Sequence, residues 1–166
     1  MTLRFICFVL AGLIVAAPSL AAGSTNWPPA GYTEIRAYLY NLDGVEGAPI
    51  FENGKLSRSV VSSNGVVLGK RERERLLHAV TGSHRSYGIA KCYDPRHAFV
   101  FYDAAQKPVG FIEICFECAQ YQTSARRTLG ALDLVALRRL FQELELPVFD
   151  NSKDYLALKK KPQAAR

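Results

Sequence analysis

The chain has 166 residues, 49% of them hydrophobic and 22% charged, and a formal net charge of +6. That balance suits one globular domain large enough to bury a core without depending on staples. No solenoid-length repeat, heptad pattern or second long apolar run is present, which excludes repeat, coiled-coil and multi-span membrane architectures.

The N-terminus has the parts of a signal peptide: Arg4 as a positive n-region, an apolar stretch from Phe5 to Ala17, and Pro18-Ser19-Leu20-Ala21 leading into small residues. Cleavage is expected after Ala21, so residues 1–21 are read as the signal peptide. The apolar stretch falls short of the ~20 residues that span a bilayer. Cys7 lies within it, is followed by no acylation site, and leaves with the signal. The mature chain is therefore expected to be periplasmic or secreted, in an oxidising setting that favours disulfides. Much of the positive charge comes from Arg71 to Arg75, Arg126-Arg127, Arg138-Arg139 and Lys159-Lys160-Lys161. On an exported protein such faces suit anionic envelope polymers or lipid headgroups. No nucleic-acid partner is expected, because no stacking aromatics are interleaved with the basic runs.

Residues 22–31, with Trp27-Pro28-Pro29, read as an extended lead-in, since proline and the residue before it are biased away from helix. Thr33 to Leu42 alternates Ile35, Ala37 and Leu39 with Glu34, Arg36, Tyr38 and Tyr40, which predicts a strand. Asp43-Gly44, Gly47, Pro49 and Asn53-Gly54 mark loops, and Lys55 to Val61 reads as a short strand before the Asn64-Gly65 turn. Lys70 to Val80 predicts a helix docked by Leu76, Leu77 and Val80, with opposite charges at i,i+3 and Gly82 as a stop. Ser86 to Lys91 reads as another short strand. Arg96 to Asp103 and Val109 to Cys115 are rich in Phe, Val, Ile and Tyr and predict a hairpin across Ala104 to Pro108. Ala119 to Arg127 carries no clear periodicity. Leu132 to Leu146 has an apolar stripe at helical spacing that ends before Pro147. The expected fold is a single α+β domain over 32–150: a small antiparallel sheet with a central β-hairpin, packed by two helices. Residues 151–166 read as a flexible basic tail.

Cys92, Cys115 and Cys118 remain after signal removal, an odd number that one chain cannot fully pair. If Asp103 faces Val109, the hairpin puts His97 beside Cys115, Ala98 beside Ile114 and Val100 beside Ile112, with Ala98 and Ile112 on the core side. The outer residues Cys92 and Cys118 then lie roughly opposite one another, so four ligands converge, provided the strand breaks after Cys115. Three readings stay open. Cys92, His97, Cys115 and Cys118 form a metal site for zinc or copper, by ligand type and C-x2-C spacing. Alternatively a disulfide, Cys92 to Cys118 or Cys92 to Cys115, leaves a buried third thiol. Thirdly, Cys115/Cys118 with His97 act as a thiol-dependent oxidoreductase or hydrolase, Asp94 or Glu113 supporting the imidazole. Against that, no βαβ framework and no oxyanion donors can be identified. His84 is a spare ligand; His78, Tyr102 and Asp103 read as surface, packing and turn residues.

Cys92-Tyr93-Asp94-Pro95-Arg96-His97, then Phe101-Tyr102-Asp103, then Ile114-Cys115-Phe116-Glu117-Cys118, resembles a motif set of uncharacterised exported bacterial proteins. The resemblance spans the Lys70 helix to Pro147. It implies that Cys92, His97, Cys115 and Cys118 belong to one site and brings no established activity. The combined expectation is a small exported, non-enzymatic protein that binds a thiophilic metal or serves as a disulfide-stabilised scaffold.

Overall fold

A computed structural model describes residues 27–86, 88, 91–125 and 129–160. The expected signal peptide, residues 22–26 of the expected lead-in, Arg126-Arg127 and Lys161 lie outside the described residues, as do Tyr87, Ile89 and Ala90 of the short strand expected over Ser86 to Lys91. In chain order the elements are β1 (Glu34–Leu39), β2 (Phe51–Glu52), β3 (Lys55–Leu56), β4 (Val66–Val67), α1 (Lys70–Thr81), β5 (His97–Tyr102), β6 (Pro108–Cys115), β7 (Gln120–Thr123), α2 (Leu134–Glu143) and α3 (Ser152–Lys160). The fold is α+β. Five strands form one antiparallel sheet in the order β4-β1-β5-β6-β7, while β2 and β3 form a separate two-stranded hairpin around Asn53-Gly54.

Both faces of the sheet are covered, by different means. On one, α1 contributes Leu76, Ala79 and Val80, and α2 contributes Leu137, Leu140 and Phe141, against Ile35, Ala37, Phe99, Phe101, Ile112 and Ile114. The stripe of α2 docks as its periodicity dictates, and the Asp133 side chain caps the helix by accepting the Ala136 N–H at 2.9 Å. On the other face lies the loop-rich segment 42–61, whose Ile50, Phe51, Leu56 and Val60 pack on Tyr38, Tyr40, Ala98, Val100 and Tyr102. Consequently all six residues of β5 are buried.

The hairpin register differs from the expected one. β5 and β6 pair His97 with Ile114, Ala98 with Glu113, Phe99 with Ile112 and Val100 with Phe111, one residue away from the predicted pairing. The cause is an irregularity at the turn, where Phe101 pairs with Gly110 but Tyr102 with Pro108, leaving Val109 as the extra residue. Gly110 is required at this point, because a Cβ there would run into Pro29 of the lead-in. From Trp27 onward the lead-in is docked: the Trp27 ring stands edge-on to Phe101 at 4.9 Å.

Three further differences concern extent. The strand expected over Lys55 to Val61 is only Lys55–Leu56, and the region after Ala119 does form a strand, β7. Part of the expected basic tail is a helix, α3, seated by Tyr155, which is 2% exposed and packs with Leu39 and Leu42. One buried aromatic outweighs the polar composition around it. In α1, Arg75 reaches across to Glu143 of α2 in an exposed ion pair.

Candidate functional site

Cys115 is the last residue of β6, and the strand ends there. Residues 116–119 turn the chain back so that Gln120, the first residue of β7, pairs with Cys115. The turn contains neither glycine nor proline; Ala119 supplies the left-handed conformation with φ of 51°. Cys118 is thereby folded back on Cys115, and its backbone N–H donates to the Cys115 sulfur at 3.2 Å. The break after Cys115 that a shared site requires is present.

Cys92 comes from the segment entering β5. Its carbonyl accepts from Gln120 Nε2 at 2.5 Å, and the next carbonyl, of Tyr93, accepts from the Gly47 N–H at 2.7 Å. The three sulfur atoms all lie within 4.8 Å of one another. Cα separations are 5.9 Å for Cys92 and Cys118 and 5.3 Å for Cys115 and Cys118, both inside the range that a disulfide spans. Cys118 is the common member of both pairs. Cys115 and Cys118 are each 1% exposed, whereas Cys92 is the most accessible of the three.

His97 is not part of this cluster. The one-residue difference in register puts it opposite Ile114, on the helix-covered face, while Cys115 projects with Glu113 from the other side of β6. Its ring lies among Phe141 at 4.7 Å, Phe116 at 5.2 Å and Tyr155 at 6.0 Å, and its Nε2–H donates to the Pro147 carbonyl at 2.9 Å. Burial depresses its pKa to about 3, against the partial support of that hydrogen bond; Arg96 and Arg138 lower it further. His97 is a neutral core residue.

The supporting carboxylates are also elsewhere. Glu113 is 2% exposed on the loop-covered face, where its carboxylate accepts the Ile50 N–H at 2.5 Å and the Tyr93 hydroxyl at 3.5 Å. Burial raises its pKa, and the two hydrogen bonds pull the other way. Tyr93 and Tyr40 are both raised, by burial first and by the nearby Glu113 second. Asp94 offers its backbone carbonyl to Arg96 rather than a carboxylate to His97. No Cys115–His97–carboxylate array is assembled. His84 sits beside His78, ring centroids 5.8 Å apart, with its Nε2 on the His78 carbonyl.

Three residues outside the predicted set shape the cluster. Arg96, 3% exposed, pairs with Glu117 inside the Cys115–Cys118 turn at 3.3 Å, lies over the Tyr155 ring at 4.6 Å, and leaves no room for a side chain on Gly44. Glu117 also accepts from the Ser152 hydroxyl at 3.3 Å, which ties the turn to α3. Gln120 anchors the Cys92 backbone. A buried arginine has no periodic signature, and its place directly between Pro95 and His97 in the motif was the one available signal. Comparisons with protein-family models, with curated proteins and with solved structures find no match to this chain.

Proposed function

We propose that the chain is an exported, non-enzymatic protein of the bacterial envelope that binds one thiophilic metal ion, zinc or copper(I), through Cys92, Cys115 and Cys118. The observation that carries this reading is the third sulfur. A structural disulfide needs two cysteines, yet three converge within 4.8 Å, two of them buried. The Cys118 sulfur is within bonding reach of both other sulfurs, whereas sulfurs sharing one zinc ion at thiolate bond lengths stand roughly 3.8 Å apart, so ligation needs the reduced protein, with the three side chains spread around the ion. The Cys118 N–H directed at the Cys115 sulfur supplies the charge-assisted hydrogen bond that metal thiolates commonly receive. Three soft donors suit copper(I); zinc would take a fourth ligand from solvent, since the His97 ring is committed to Pro147.

Export rests on the Arg4, Phe5–Ala17 and Ser19–Ala21 pattern, and it predicts a mature N-terminus at Ala22 in protein recovered from the periplasm or medium. The basic faces make anionic envelope components the proposed partners. To test the site, anaerobically reduced protein is titrated with zinc and with copper(I), and bound metal is measured by elemental analysis. One ion per chain is expected, retained in His97→Gln and lost in Cys115→Ser and Cys118→Ser. Folded, fully reduced protein that takes up neither ion would overturn the metal reading and leave the disulfide-stabilised scaffold.

A further inference from the structure

We propose that, when oxidised and metal-free, the three cysteines form an internal disulfide relay centred on Cys118. The relay passes one disulfide between the buried Cys115 and the accessible Cys92. This goes beyond metal binding and uses the same atoms in a different oxidation state.

Cys118 stands at disulfide-compatible Cα separation from both other cysteines, and a sulfur forms only one S–S bond at a time. Whichever pair is joined, the third sulfur lies within 4.8 Å of the bond. That proximity is what thiol–disulfide exchange requires.

The step is balanced internally. Starting from the Cys92–Cys118 disulfide, the Cys115 thiolate attacks the Cys118 sulfur. The Cys115–Cys118 bond forms, the Cys118–Cys92 bond breaks, and its electron pair leaves on the Cys92 sulfur, which takes up a proton from solvent. The count of disulfides and the net oxidation state are unchanged, so no external oxidant or reductant enters.

The two states differ in what they present. With Cys92 joined to Cys118, the free thiol is Cys115, 1% exposed at the end of β6. With Cys115 joined to Cys118, the bond closes within a four-residue turn and the free thiol is Cys92, the most accessible of the three. Only the loop leading into β5 must move, because β6, the turn and β7 form one continuous hairpin. The relay thus alternates between a concealed and a presented thiol while holding the same oxidising equivalent.

The test uses oxidised, chelator-treated full-length mature protein, so its result is independent of metal uptake. Acid quenching followed by peptide mapping without reductant is expected to find both Cys92–Cys118 and Cys115–Cys118 linkages. Prolonged treatment of the native protein with N-ethylmaleimide is expected to drain the first population into the second, with the alkyl group on Cys92. The Cys92→Ser and Cys115→Ser variants should each retain a disulfide, and Cys118→Ser should lose it entirely. A single linkage after quenching, with alkylation that does not change it, would overturn the relay. So would a Cys92–Cys115 linkage in the wild-type protein.

Discussion

His97 enters the core uncharged, with Nε2–H on the Pro147 carbonyl and Phe141 against its ring. Its folded pKa of about 3 lies below the ordinary value of 6.5, so the unfolded chain takes up the proton first as pH falls. The stabilising contribution is complete above pH 6.5 and drains away between 6.5 and about 3; at pH 4.5 the loss is about 3 kcal/mol. Glu113 has the opposite sign. Its folded pKa is raised above 4.5, so the folded state holds the proton more tightly, and stability is lost as pH rises from 4.5 through the folded value. Urea unfolding across pH should show His97→Gln with a flatter acid limb than wild type. Glu113→Gln should gain stability relative to wild type as pH rises above 4.5. Parallel profiles for wild type and both variants would contradict these assignments.

At the scale of elements, α3 has one buried anchor. Tyr155 is 2% exposed, its hydroxyl accepts the Phe149 N–H at 3.0 Å, and its ring lies beneath Arg96 and beside His97. Tyr155→Ala is expected to cost about 3–5 kcal/mol, as for other buried aromatics, and to abolish amide protection in α3 while β5 to β7 stay protected. The helices α1 and α2 were legible because a 3.6-residue apolar stripe forms only where one side of a helix is buried. Hairpin β5–β6 was legible as an element but not in register. A strand covered on both faces has no polar side to break the symmetry, so a one-residue slip leaves the hydrophobic pattern equally satisfied. That slip separates His97 from the thiols. α3 was missed because its one buried residue is an aromatic set amid Lys, Asp and Ser.

For the whole molecule, grouping the cysteines from the sequence succeeded because it needed only the order of hairpin segments and a turn after Cys115. Placing Arg96, Glu117 and Gln120 around them needed tertiary contacts that no local pattern encodes. The order of strands has a kinetic corollary. β5, β6 and β7 follow one another as a meander, whereas β1 pairs with β5 across a long separation, Glu34 opposite Tyr102. Loop-closure entropy makes that distant pairing the slow step. Pulse-labelled hydrogen exchange during refolding should therefore find β6 and β7 protected before β1. Until β1 arrives, β5 is an open edge carrying Phe99 and Phe101. If the chain is exported as proposed, these are the residues most in need of shielding between translocation and completion of the sheet.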